Sequence, residues 1–154
     1  MTIDATKPTD QELVSVLPSY IRDTRTALNN IIDGETEVTT TELTISAGDT
    51  ALVIGTDLSD TLIETILLSG LGVSVIDQIR GGTEGRIKIF IFQGNNVSFK
   101  DGVKLTGQLY LNQLPVLSNF NAQQDDVLAL INISGDGAAN YGYWKELWRQ
   151  LSVK

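Results

Sequence analysis

Downstream of Gly34 the sequence breaks into short runs in which apolar and polar residues alternate, and nothing else in the chain restricts its fold so strongly. The runs are 37–46, 50–55, 61–68, 72–79, 86–93, 95–99, 103–111, 127–134 and 141–152, separated by the turn-forming stretches "SAGD", "SGLG", "RGGTEG", "QGNN", "KDG" and "SGDG". A period of two residues is that of a strand, and Gly, Asn and Asp supply the backbone conformations of tight turns. With no helical periodicity between the runs, the expected architecture is mainly β, a single β-sandwich or jelly-roll-like head over residues 36–154. "RIKIFIF" at 86–92 alternates most clearly, with Ile87, Ile89 and Ile91 on the face expected to be core. Arg86, Lys88, Phe90 and Phe92 occupy a second face that begins polar and ends apolar. A strand apolar on both sides meets another sheet or another subunit.

Upstream, residues 1–34 read as a short N-terminal helical arm. "TDQE" at 9–12 has the form of a capping box, in which Thr9 and Glu12 satisfy the first free amides of a helix. Val14, Leu17, Ile21, Thr24, Leu28 and Ile31 follow at alternating spacings of three and four, the a/d register of a short coiled coil, and Gly34 can end it. Pro18 lacks an amide proton and forces a kink or a restart. Two readings of the stripe stand: a self-associating seam, or a helix packed on its own domain. In either case Val14, Leu17, Ile21, Leu28 and Ile31 are the contact residues.

Composition narrows the function. Cysteine and histidine are both absent, which removes disulfides, thiolate sites, the commonest general base and every Ser-His or Cys-His nucleophile. The expectation is a protein that is not an enzyme and uses no metal and no cofactor. The net charge of −8 opposes binding to a phosphate backbone, so no nucleic-acid partner is expected. Residues 1–85 carry −10 and residues 86–154 carry +2, so the acidic half either meets a positive surface or is simply well solvated. "MTIDATKPTDQE" has no signal-peptide character, and the most apolar stretch, 61–79, is interrupted by Glu64, Asp77 and glycines, so no membrane partner is expected.

Individual motifs support no catalytic constellation. "GGTEG" at 81–85 lacks the Lys-Ser/Thr of a phosphate-binding loop and reads as a turn. In "SGDGAANYG" Asp136 and Asn140 are possible calcium ligands, but the spacing of an EF-hand is missing and turn chemistry explains the same residues. Asp125 and Asp126 are adjacent, and neighbours on a strand point to opposite faces, the wrong geometry for an acid/base pair.

The closing stretch "YGYWKELWRQLSVK" is ambiguous. Trp144, Leu147, Trp148 and Leu151 have helical spacing, while Tyr143, Leu147 and Leu151 fit one face of a strand. Tyr141, Tyr143, Trp144 and Trp148 are either a stacking platform for sugars or packing and subunit-contact residues.

The succession "IRGGTEGRIKIFIFQGNNVSFKDG", "LYLNQL", "QQDDVLALINISGDG" and "GYWKELWRQLSVK", spanning about 79–154, resembles a recurrent β-module of tailed-phage virion proteins. Such modules occur on head decoration or cement proteins, head fibres and tail-fibre ends. "LPSYIRDTRTALNNI" is similar to helical N-terminal segments of small phage structural proteins. The resemblance implies a homotrimeric virion component without catalysis, made in the host cytoplasm and placed on the capsid surface, with the major capsid protein as partner. A short head or tail fibre that binds host-surface glycans is the alternative. It also implies that the W-x-E-x-x-R segment of Trp144, Glu146 and Arg149 is a strand. Strict alternation then puts Trp144, Glu146 and Trp148 on one face, and Tyr143, Lys145, Leu147, Arg149 and Leu151 on the other.

Overall fold

A computed structural model describes residues 38–112 and 118–153. The arm residues Val14, Leu17, Ile21, Leu28 and Ile31 lie outside the described residues. Within them the chain is mainly β, with eleven strands. They are β1 (Val38–Ile45), β2 (Ala51–Val53), β3 (Ile63–Gly70), β4 (Ser74–Ile76), β5 (Gln78–Arg80), β6 (Ile87–Phe92), β7 (Val97–Lys100), β8 (Leu109–Tyr110), β9 (Asn119–Asn121), β10 (Val127–Ile133) and β11 (Tyr143–Gln150).

The strands form a six-stranded sheet ordered β1-β3-β6-β10-β11-β8, a three-stranded sheet β4-β7-β9, and a two-stranded sheet β2-β5. Their registers reveal a coil. Residues 51–76 pass through β2, β3 and β4, one strand in each sheet, and residues 78–100 repeat the passage through β5, β6 and β7. The second pass lies parallel to the first in all three sheets, with Ala51 beside Gln78, Ile63 beside Ile87 and Ser74 beside Val97. The chain then reverses. Gln108 bridges Gln78 antiparallel, β9 runs against β7, and β10 against β6. A jelly roll is built from antiparallel strands; here parallel and antiparallel pairs are mixed within the large sheet, because stacked turns of one coil must run the same way.

Inside the coil the three sheets share one hydrophobic cluster. Leu52 and Ile79 come from the two-stranded sheet, Ile76, Val97, Phe99 and Phe120 from the three-stranded one, and Ile66, Leu68, Phe90, Phe92, Leu128, Leu130 and Trp144 from the large sheet. Phe99 meets Phe90 and Phe92 edge-on, with ring centroids 4.9 and 5.4 Å apart, and Phe92 meets Phe120 at 5.7 Å. Edge-to-face contacts of this kind add about 0.5–1.5 kcal/mol per pair to the burial of the rings.

On β6 it is therefore Lys88, Phe90 and Phe92 that face the core, while Ile87, Ile89 and Ile91 are half-buried on the outer side, the reverse of the expected assignment. Burial of Lys88 is possible because Glu64 occupies the paired position on β3. The two side chains form a fully buried ion pair of 2.6 Å. Lys88 Nζ also donates to the Ser59 carbonyl, and Thr41 Oγ1 donates to Glu64 Oε1 at 2.6 Å. Burial by itself raises the Glu64 carboxyl; the hydrogen bonds from Lys88 and Thr41 and the lysine charge outweigh it, so the group titrates below the ordinary glutamate range.

Two further expectations are corrected. The run 72–79 is two strands, because at Asp77 the chain turns from one sheet into another, its amide donating to the Thr50 carbonyl at 2.9 Å. Of 103–111 only Leu109–Tyr110 is a strand. Residues before it fold as turns, with the Leu105 amide on the Val103 carbonyl and the Gln108 amide on the Leu105 carbonyl.

Candidate functional site

The closing segment is a strand, and a bulge gives it its chemistry. β11 pairs antiparallel with β10 from Tyr143 opposite Ile133 to Glu146 opposite Leu130, then resumes with Trp148 opposite Ala129 and Arg149 opposite Leu128. Leu147 is the extra residue. Because side chains alternate, one inserted residue exchanges the faces of everything after it. Trp144 and Glu146 share a face as expected, and it is the inward one, but Arg149 joins them while Trp148 is turned outward; this corrects the alternation expected from the sequence.

Inside, Trp144 is completely buried, and its Nε1 donates to the Ile79 carbonyl at 3.0 Å. It is a core residue, so it contributes nothing to a sugar platform. Gly82 makes room for it: a Cβ there would lie 2.7 Å from Trp144 Cζ2 and 2.9 Å from Asn132 Cγ. Glu146 accepts from both Nε and Nη2 of Arg149, the first at 2.6 Å, and from the Asn112 amide at 2.7 Å. The Arg149 guanidinium lies 4.7 Å from the centre of the Phe120 ring. Glu146 and Arg149 thus form a clamp on the large sheet that reaches Phe120 of the three-stranded sheet, while Trp144 is bonded separately to β5 of the two-stranded sheet.

Outside, the bulge presents Leu147 and Trp148, 45% and 46% exposed. They join the outer positions of the large sheet: Ile63 and Leu67 on β3, Ile87, Ile89 and Ile91 on β6, and Val127, Ile131 and Ile133 on β10, all half-buried. Along the outer positions of β3, β6, β10 and β11, Lys145 is the charged residue. Strands this apolar on both faces have the composition of strands covered on both sides. Tyr143 lies half-exposed at the edge of this face, edge-on to Tyr110 with centroids 6.3 Å apart, and Lys104 sits 5.1 Å over the Tyr110 ring. Tyr141, also half-exposed, lies elsewhere, beside Gly107. The four candidate aromatics are therefore not one surface: Trp144 is core, Tyr143 and Trp148 are outer-face residues, and Tyr141 borders the 102–108 turns.

The remaining candidates resolve as turn chemistry. Asp136 Oδ1 accepts the Ala138 and Asn140 amides at 2.9 and 3.1 Å. Asp125 adopts a left-handed backbone at φ 69°, and the buried Asp126 accepts the Gln123 and Ser152 amides at 2.8 and 2.6 Å. "GGTEG" closes a turn in which the Arg86 amide donates to the Thr83 carbonyl at 3.2 Å. Among the described residues no group of three or more carboxylates is placed to hold a metal ion.

No family model, curated protein or solved structure matches the chain. Function must therefore be argued from its own geometry, which offers an apolar face and a rigid interior. The bulge at Leu147 and the outward isoleucines of β6 were the features missed in the sequence, and the run "IKIFIF", apolar on both faces, was the signal for the second.

Proposed function

We propose that this chain is a structural virion protein of a tailed phage, a homotrimeric capsid decoration (cement) protein. In this reading residues 1–34 bind the major capsid protein. The head is a single β-sandwich of mixed rather than jelly-roll connectivity, and three copies meet through the outer faces of their large sheets. The observation that carries the reading is the uncharged, isoleucine-rich outer face of β3, β6 and β10, extended by Leu147 and Trp148. Burying such a face gains roughly 25 cal/mol per Å2 of apolar surface, and a copy of the same face is a partner of matching chemistry. The phage assignment rests on the ordered motifs of 79–154, in which Trp144 is a buried core residue and Glu146 and Arg149 form an ion pair.

The mechanism is mass action. A protein that binds only the assembled shell stabilises that shell by an amount that grows with the logarithm of its free concentration relative to its dissociation constant. Deleting residues 1–34 should abolish binding to expanded capsid shells while leaving a soluble trimer. Unchanged shell binding by the deleted chain would overturn the decoration reading.

A short head or tail fibre that binds host-surface glycans is the second reading. Half-exposed Tyr143 and exposed Trp148 keep it in view, with Trp144 no longer part of the candidate surface.

A further inference from the structure

The corner at Asp77, the end of β7 and the turns before β8 enclose an open cleft of about 230 Å3, lined by Asp77, Lys100, Asp101, Gly102, Val103 and Gln108. Its walls are fixed by the chain itself. Asp101 Oδ1 accepts the Leu111 amide at 2.8 Å, the Gly102 amide donates to the Leu109 carbonyl at 2.7 Å, and the Val103 amide donates to Gln108 Oε1 at 3.0 Å. That last bond commits the oxygen end of the Gln108 amide and leaves its NH2 as a donor. Gly102 allows the close approach, since a Cβ there would lie 2.7 Å from Gln108 Oε1.

Against this fixed frame two side chains are unused. The Asp77 carboxylate and the Lys100 ammonium line the same cleft, form no ion pair with each other, and have no hydrogen bond within the described residues. A preformed concavity with a few convergent polar groups and an apolar wall, here Val103, is the general form of a small-ligand site. The cleft is smaller than the roughly 300–1,000 Å3 of sites for drug-sized molecules, which limits it to one small ring.

The charges choose the ligand. Asp77 opposes an anion and Lys100 opposes a cation, whereas a neutral polyhydroxy ring offers hydroxyls that donate to the carboxylate and accept from the ammonium and the Gln108 amide. We propose that this cleft binds a single neutral pyranose unit, through Asp77, Lys100 and Gln108. The site is separate from the outer face of the large sheet, so it stands or falls independently of trimerisation and shell binding. It differs from the aromatic platform read from the sequence, because none of Tyr141, Tyr143, Trp144 and Trp148 lines it.

The test is a titration of the full-length chain, labelled with nitrogen-15, with the methyl glycosides of glucose, galactose, mannose and N-acetylglucosamine at millimolar concentrations, followed by amide chemical shifts. At least one should shift the amides of residues 77, 100–103 and 108. Asp77→Ala should weaken that binding by about tenfold or more, as loss of a hydrogen bond to a charged group does, while the melting temperature is unchanged. Absence of shifts with every glycoside, shifts confined to other residues, or equal shifts with glycine as a zwitterionic control would each overturn the proposal. If Asp77→Ala fails to fold, Lys100→Met is measured in its place, and unaltered affinity in that variant overturns the proposal equally.

Discussion

Glu146 and Arg149 are three residues apart on one strand, yet their side chains meet on the same face as a two-point ion pair. In a regular strand they would point to opposite sides of the sheet. The bulge at Leu147 brings them together, and the same insertion expels Trp148 from the interior. One backbone irregularity thus builds an interior clamp and exposes two apolar side chains at once.

Arg149→Met should therefore be far more damaging than Leu147→Ala. It removes the guanidinium and leaves the Glu146 carboxylate buried without its partner. Breaking a buried pair in this way costs about 3–5 kcal/mol. Leu147→Ala keeps the register and should cost under about 1 kcal/mol, since the side chain is 45% exposed. Urea unfolding of the two variants measures the difference, and equal stabilities would contradict the role assigned to the clamp.

The buried pair of Glu64 and Lys88 gives a pH prediction. The Glu64 carboxyl titrates below its ordinary range in the folded chain, so its contribution is fully present above the unfolded value and is lost as pH falls through the folded one. Stability should decline with acid below about pH 4. The double variant Glu64→Leu with Lys88→Met removes both charges from an interior site. It should be neutral or more stable at pH 7, with a shallower acid decline, whereas Lys88→Met alone should lose about 3 kcal/mol. Denaturant titrations at several pH values check the sign.

Gly82→Ala should lose about 1–3 kcal/mol, because its Cβ would press on Trp144 and Asn132 in a packed interior. Gly94→Ala is the control, with nothing within 4 Å of the added carbon, and should change stability by under about 0.5 kcal/mol. Thermal unfolding of both distinguishes close packing from a general cost of losing glycine.

These particulars show how far the fold was legible in the sequence. Period-two alternation located β1, β2, β3, β6 and β7, in which buried and less-buried residues take turns, and also β10 and β11, although Leu128, Ala129 and Leu130 are all buried and the alternation of β11 breaks at Leu147. β9, only "NFN", was missed, since one apolar residue between two polar ones carries too little signal. The break at Asp77 was missed because β4 and β5 are both apolar in alternation and the corner needs no glycine. The stacked coil left a faint trace: Gly55-Thr56-Asp57 and Gly82-Thr83-Glu84 follow β2 and β5 at the same point of successive turns. On β6 the phenylalanines took the interior although Lys88 went with them, because Glu64 on the neighbouring strand neutralises that lysine, a long-range pairing that local pattern does not contain.

Trp144 and Trp148 should separate cleanly by mutation. Trp144→Ala removes a fully buried side chain and should lose about 3–5 kcal/mol, with no separate effect on ligand binding. Trp148→Ala should leave the stability of the isolated head within about 1 kcal/mol but weaken self-association, measured by the concentration dependence of the oligomer. The opposite pattern would reassign both residues.

The central claim is that the outer face of the large sheet is where copies of this chain meet. Its most direct test is the mass in solution of the full-length protein beside that of Ile89→Lys, which sets a charge in the middle strands of that face. The unaltered protein should have three times the chain mass and the variant should be a folded monomer. A monomeric unaltered protein, or a variant that remains a trimer, would contradict it.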